Sequence, residues 1–196
     1  SSQESLTTWA SLSTNTAGDL RLGSGSEIVC AVETKQQIIV HTDTSVYAMQ
    51  FLGPPFTFGI SMISDNTTIS GPFSSVGVED SLFWMGISEF YSYDGSVKEI
   101  PCSIKDFVFN DFNQVERSKV FAAANTSFSE VWWFYPSKNS TDNDRYAVYN
   151  YGQNIWYYGT MSRTAWNDRG ITSTPIATGT DKYIYSHESG FDDGST

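Results

Sequence analysis

The sequence predicts an all-β fold of β-propeller-type repeats. It reads as a partial propeller of about three to four four-stranded blades, with one short helical connector near 103–118. Three observations predict this. Strand-like runs recur: Ile38-Ile39-Val40-His41, Leu82-Phe83-Trp84-Met85, Val131-Trp132-Trp133-Phe134 and Tyr183-Ile184-Tyr185-Ser186 start 44, 49 and 52 residues apart. Each is followed by a turn and a further run, and a period of roughly 40–50 residues holding several short strands marks propeller blades. The composition is that of strands, with aromatic residues at 15% and Tyr, Phe, Trp, Val, Ile and Thr prominent. Finally, Leu82–Met85 and Val131–Phe134 are apolar on both faces, which requires strands covered from both sides, as in stacked blades.

Residues 1–25, rich in Ser, Thr and Gly, read as an irregular N-terminal arm, and residues 26–196 as the propeller-like domain. Its units are expected at 26–63, 74–101, 119–160 and 175–196. The first holds strands Glu27–Val32, Gln37–Thr42, Ser45–Phe51 and Phe56–Ile63, the last two parted by Gly53-Pro54-Pro55, where proline has no N–H to donate. The second holds Ser75–Val78, Leu82–Gly86, Glu89–Tyr93 and Val97–Ile100, with Tyr93-Asp94-Gly95-Ser96 a tight turn whose glycine supplies positive φ. Ser103 followed by Asp106 reads as a helix start, and Ile104, Phe107, Val108, Phe112 and Val115 keep helical spacing. Asn110 and Asn113 leave one long or two short helices equally open. The third unit holds Val120–Ala124, Glu130–Tyr135, Arg145–Tyr151 and Ile155–Gly159, with a polar loop over 136–143. The fourth starts near Pro175 and is cut short by Gly190-Phe191-Asp192-Asp193-Gly194. The pattern starts and stops without caps and opens on Ser1-Ser2, so the chain is expected to be part of a longer one.

With 11 Lys and Arg against 22 Asp and Glu, the net charge is −11. Such a chain repels phosphate backbones, which argues against sequence-reading nucleic-acid binding. No apolar run approaches the roughly 20 residues that a membrane-spanning helix needs. Cys30 and Cys102 sit in hydrophobic contexts and read as buried free thiols, with a single disulfide as the alternative.

Catalytic chemistry finds little support. His41 and His187 belong to no metal-ligand or triad spacing, so no catalytic residue, cofactor or metal site is expected, and the chain reads as a non-enzyme. Asp142-Asn143-Asp144 and Asp192-Asp193-Gly194 carry clustered oxygen ligands but no EF-hand pattern and read as solvated turns. Asn66-Thr67-Thr68, Asn125-Thr126-Ser127 and Asn139-Ser140-Thr141 match glycosylation acceptors, as Ser/Thr/Asn-rich chains often do. The repeated Ser-x-Asp-x-Gly-x-x-Trp turn of sialidase-like propellers is absent; Tyr93-Asp94-Gly95 and Tyr151-Gly152-Gln153-Asn154-Ile155-Trp156 come nearest. A hydrolase would need a carboxylate pair, for which Glu79, Asp80 and Glu89 are the candidates. The segment 156–170 is different, because it places Arg163, Trp166 and Arg169 in an expected connector. Arg and Trp anchor protein interfaces, so these three are the candidate interface residues; the alternative is that Trp166 plugs a gap between blades and Arg169 pairs with Asp168.

A longer series of segments carries a resemblance. Gly18-Asp19-Leu20-Arg21-Leu22-Gly23-Ser24-Gly25-Ser26 leads to Thr42-Asp43-Thr44-Ser45-Val46-Tyr47-Ala48-Met49-Gln50, then Phe83-Trp84-Met85-Gly86 and Phe90-Tyr91-Ser92-Tyr93-Asp94-Gly95. After these come Glu130-Val131-Trp132-Trp133-Phe134-Tyr135-Pro136, Asp144-Arg145-Tyr146-Ala147-Val148-Tyr149-Asn150-Tyr151 and Arg163-Thr164-Ala165-Trp166. Over about residues 15–194 the series resembles the tail hub or nozzle proteins of tailed bacteriophages and prophages, related in architecture to the packaged-DNA stabilisation proteins of short-tailed phages. The resemblance implies a β-propeller structural protein of the virion tail that forms a homo-oligomeric ring, commonly hexameric, below the portal. Its partners would be other tail, portal or adaptor proteins, with packaged DNA as non-specific cargo to be retained and guided out. The family carries over no catalytic residues. An acidic channel wall would then not grip DNA, an expectation that fails if Lys35, Lys98, Lys105 or Lys182 line the lumen instead. The competing expectation is a propeller binding module that recognises a host glycan or protein receptor through exposed aromatics.

Overall fold

The computed structural model describes residues 5–12, 14–53 and 56–190. The chain divides into two compact units, Ser1–Thr68 and Ile69–Thr196. The fold is all-β with short antiparallel meanders as its repeat, the topology of propeller blades, and one short α-helix.

The first unit holds one sheet in the order β1 (Ile28–Glu33), β2 (Ile38–Thr42), β3 (Ser45–Gly53) and β4 (Thr57–Asp65). Its centre is β2 and the start of β3, where Ile39, Val40, Val46, Tyr47 and Ala48 are buried. Among the described residues of the arm no strand forms, and Leu6, Trp9 and Leu12 are exposed. The arm joins the sheet through Ser24, whose N–H donates to the Tyr47 hydroxyl at 2.7 Å, and Ser26, whose N–H donates to Asp43 Oδ1 at 2.8 Å. The Ser26 bonds hold the Asp43 carboxyl below its usual range. β3 and β4 run further than the sequence predicts: β2 pairs with β3 only as far as Met49, so Gln50–Gly53 and Thr57–Gly59 pair only with each other. The expected turn residues Pro54 and Pro55 lie outside the described residues.

The second unit holds three sheets. The second sheet runs β5 (Ser75–Val78), β6 (Ser81–Met85), β7 (Phe90–Tyr93) and β8 (Val97–Glu99) in sequence order. Gly95 takes the left-handed conformation expected of its turn, at φ 107°. The third sheet runs β9 (Phe121–Asn125), β10 (Glu130–Tyr135), β11 (Arg145–Asn150) and β12 (Ile155–Thr160). The fourth has three strands among the described residues: β13 (Ala165–Asn167), β14 (Ile176–Thr178) and β15 (Ile184–Ser186). It thus begins at Ala165, ahead of the expected Pro175, because the predicted connector itself supplies a strand.

Between the second and third sheets stand α1 (Lys105–Asp111) and a 3-10 turn over Gln114–Lys119, the two-piece form of the expected connector. Phe112 and Asn113 are extended and break the helix, and the Asn113 side chain accepts from Val115 N at 3.1 Å to start the second piece. Ser103 is not the N-cap. Ile104 holds that position without a side-chain bond, and the Lys105 N–H that a Ser103 cap would use donates to the Cys102 carbonyl at 3.4 Å.

The three sheets stack through aromatic residues. One face of β10 (Val131, Trp133, Tyr135) joins Phe83, Met85 and Phe90 of the second sheet and Val108 and Phe112 of the connector in one core. Trp133 and Trp156 lie 4.8 and 4.6 Å from the Phe90 ring, centroid to centroid. The other face of β10 meets the fourth sheet, where Trp166 stacks on Trp132 at 5.8 Å. The indole N–H groups cross the same boundaries: Trp133 donates to the Ser74 carbonyl at 3.1 Å, Trp156 to Pro101 at 2.9 Å and Trp166 to Ala124 at 2.9 Å. The sequence expectation that Val131–Phe134 is covered on both faces is met.

Two predictions follow from this packing. Trp133 is 0% exposed, so Trp133→Ala should lower unfolding stability by about 3–5 kcal/mol, read by chemical denaturation; half-buried Trp132 should cost less when truncated. A Trp133→Ala protein that melts like the parent would refute the doubly covered strand. His41 on β2 is 1% exposed, and burial pushes its pKa down to about 4 from 6.5. The folded state therefore holds fewer protons than the unfolded state between these values, so stability is full above about pH 6.5 and is lost as pH falls towards 4. This group alone should account for about 3 kcal/mol. Thermal melts from pH 7 to 4 should track that loss, and His41→Gln should flatten it.

Candidate functional site

The three candidate interface residues lie on one short stretch but have different surroundings. Arg163 is half-buried before β13. Its Nε donates to His187 Nε2 at 3.0 Å, its Nη1 donates to the Ser162 carbonyl at 2.8 Å, and its guanidinium stacks 4.1 Å above the Tyr185 ring. Burial lowers the Arg163 pKa. His187 can accept from an arginine only when neutral at Nε2, and burial together with the Arg163 charge pushes its pKa down to about 4. Trp166 lies on β13 with its ring against Trp132, Phe134 and His187, so it plugs the space between the third and fourth sheets. Arg169 is exposed. Its backbone N–H donates to Asp168 Oδ1 at 2.7 Å, while Asp168 Oδ2 accepts from Thr126 N and Oγ1. The structure thus brings Arg163 and Trp166 together through His187 and leaves Arg169 on the surface beyond them.

Asn143 ties this corner to the third sheet. It is 2% exposed, and its Nδ2 donates to the Lys119 carbonyl at 2.8 Å and the Arg163 carbonyl at 3.1 Å. The Asp142-Asn143-Asp144 run serves folding in this way. Asp144 accepts from Ser137 N and Oγ, both at 2.7 Å, and Asp142 accepts from Lys119 at 3.3 Å. Asp192, Asp193 and Gly194 lie outside the described residues.

A second location was not singled out by sequence reasoning. Asp106, Phe107, Asn110 and Asp111 of α1 and Arg145 of β11 line an open groove of about 470 Å3. Phe107 and Tyr158 of β12 face each other at 4.1 Å and are both nearly half exposed. Arg145 Nε donates to Asp111 Oδ2 at 3.1 Å, which raises the arginine pKa. The signal in the sequence is faint, because α1 and Arg145 of β11 stand far apart in the chain.

The remaining candidates have structural surroundings. Glu79, at φ 54°, and Asp80 form the exposed β5–β6 turn, and Glu89 pairs with Lys105. Buried Glu130 accepts from Trp132 Nε1 at 2.9 Å and from the Tyr157 hydroxyl; burial and that bond push the Tyr157 pKa up to about 12. Asn125 is fully buried, Asn66 sits in a left-handed turn and Asn139 is exposed. Cys30 and Cys102 are free, as the sequence suggests, but only half-buried; burial raises the Cys102 pKa to about 11. Among the described residues no helix is long and apolar enough to cross a membrane.

What fold and site define together is a propeller-type module of stacked four-stranded meanders. Solved structures with a similar course include Hsv2 of Kluyvelomyces marxianus, at 8% identity and a TM-score of 0.49, over 88% of this chain and 53% of that one. The N-terminal domain of Nup159 is similar at 9% identity and a TM-score of 0.39, over 75% and 37%. PorZ of Porphyromonas gingivalis, a bacterial surface component of a type-IX secretion system, is similar at 11% identity and a TM-score of 0.39, over 85% and 27%. The chain spans about half the length of the first of these and less of the other two. No protein-family model and no curated protein matches it.

Removing the Asn143 tether should loosen the fourth sheet selectively. Asn143→Ala removes the donor from the Lys119 and Arg163 carbonyls, at about 1–3 kcal/mol for the two bonds together. Amide hydrogen exchange should quicken in β13–β15 before it does in β10; equal exchange throughout would remove the tether from the account.

Proposed function

We propose that this chain is a non-enzymatic structural subunit of a phage tail hub or nozzle, acting as a ring of copies around the channel through which packaged DNA is retained and guided. The observation that carries the scaffold reading is where the tryptophans go. Of the six, Trp84, Trp133 and Trp156 are buried, Trp132 and Trp166 stack on each other between sheets, and Trp9 alone is largely exposed. The aromatic content thus serves sheet-on-sheet packing, the use a scaffold makes of it.

Charge supports the same reading. Lys98 pairs with Asp94 at 2.8 Å, Lys105 with Glu89, and Lys119 with Glu116 at 3.1 Å and Asp142 at 3.3 Å. These cations are neutralised locally, so the acidic excess of the chain stays on its surface and opposes adhesion to DNA. Neighbours in the ring would be further copies, with portal or adaptor proteins above.

A binding module for a host glycan is the second reading, and the groove beside α1 favours it. Exposed Phe107 and Tyr158 offer ring surface next to the polar groups of Asp106, Asn110 and Arg145, the pairing with which proteins hold sugars. One experiment separates the two. Native mass spectrometry with negative-stain electron microscopy of the protein should find a closed ring of several subunits with a central channel. A dispersed monomer that captures defined glycans on an array, and loses them in Phe107→Ala, would overturn the tail reading in favour of the groove.

A further inference from the structure

The extension of the β3–β4 hairpin carries a row of exposed apolar side chains. Phe51 and Phe58 are directly opposed, as are Met49 and Ile60, and Tyr47 and Met62. Opposed residues share a face, so Phe51, Phe58, Ile60 and Met62 form one apolar row, with the two phenylalanine rings edge to face at 5.6 Å. Phe51 is 69% exposed, Phe56 77% and Met62 52%. β4 is also the outer strand of its sheet and is nine residues long, and before Asp65 it has no lysine, glutamate or proline to discourage pairing. No charged residue stands between Asp43 and Asp65, the longest uncharged stretch of a chain whose net charge is −11.

The fourth sheet offers a counterpart. Ala165, Trp166, Ile176, Ala177, Thr178 and Ile184 line a shallow apolar cleft of about 170 Å3. Ile184 is 72% exposed, on a strand that ends its sheet among the described residues. The surroundings are electrically balanced: residues 161–190 carry Arg163, Arg169 and Lys182 against Asp168, Asp181 and Glu188. The acidic excess therefore lies elsewhere in the chain.

We infer that the β3–β4 hairpin of one copy docks its Phe51–Phe58 row into the fourth-sheet cleft of a second copy. Charge selects a second copy as the occupant. Two chains that repel each other over most of their surfaces can approach where one is uncharged and the other is balanced. The surfaces are complementary in kind, with protruding rings on one side and, on the other, a hollow in which Ala165, Ile176, Ala177, Thr178 and Ile184 stand beside Trp166 and Asn167. The choice of cleft over a second hairpin rests on the ring reading, because hairpin-to-hairpin contact is isologous and closes at a dimer, whereas a head-to-tail contact generates a ring when its rotation closes.

The test is cross-linking between separate copies. In a background with Cys30→Ala and Cys102→Ala, Phe58→Cys and Ile184→Cys are made in separate chains, mixed, and oxidised with diamide. A disulfide-linked dimer is expected in the mixture and in neither variant alone, since a disulfide needs Cα atoms within about 7 Å. No dimer in the mixture, or an equal yield from Phe58→Cys alone, overturns the docking. Phe58→Asp in the natural background provides a second measurement. The side chain is exposed, so the melting temperature should hold while the native mass falls to that of the monomer. If the parent forms rings and Phe58→Asp still does, the docking fails and the ring reading stands. If the parent stays monomeric with no cross-link, both fail.

Discussion

The structure of the second unit depends on one strand that has no outside. β10 places Val131, Trp133 and Tyr135 into a core shared with the second sheet, and Trp132 and Phe134 against Trp166 of the fourth. A strand in a two-layer sandwich needs one apolar face; this one needs two, so a sheet must lie on each side of it. Its neighbours conform. Ala122 and Ala123 of β9 and Ala147 of β11 are small where β10 is large, so the rings can reach across to Phe90 and Trp156 without crowding.

The same demand decides what is left for function. Rings held between sheets cannot meet a ligand, and the indole N–H groups of Trp133, Trp156 and Trp166 are committed to backbone carbonyls across the sheet boundaries. Arg163 and Trp166 look like interface anchors when read as residue types, yet Tyr185, His187 and Trp132 already surround them. Among the described residues, the surfaces that remain open include the groove beside α1 and the uncharged hairpin of the first unit. The first suits a small polar ligand and the second a protein surface, since nothing on the hairpin offers a charge to pair.

Ion pairs such as Lys98–Asp94 lie at the surface and add little stability. Lys98, Lys105, Lys119 and Arg145 are neutralised where they stand, and the net charge of −11 comes from the excess of Asp and Glu.

Most strand positions, the two-sided nature of β10 and a helical connector were legible in the sequence because they follow from local causes: short apolar runs, turn residues such as Gly95 and helical spacing from Ile104 to Phe112. The choice between one helix and two stays open in the sequence and falls to the extended Phe112 and Asn113. What was not legible depends on partners distant in the chain. Ser103 has the chemistry of a helix cap, but the Lys105 N–H it would take is bound by Cys102. Trp166 reads as a connector residue and becomes a strand because Ala177 of β14 lies opposite it. The groove exists because Arg145 of β11 meets α1 across more than thirty positions of sequence, bonding to Asp111. The sequence alone determined the repeat and the strand faces, since periodicity and turn chemistry act within a few residues. The tertiary structure decided which aromatic rings are used up in packing and which stay open, because burial is set by whichever sheet arrives on the other side.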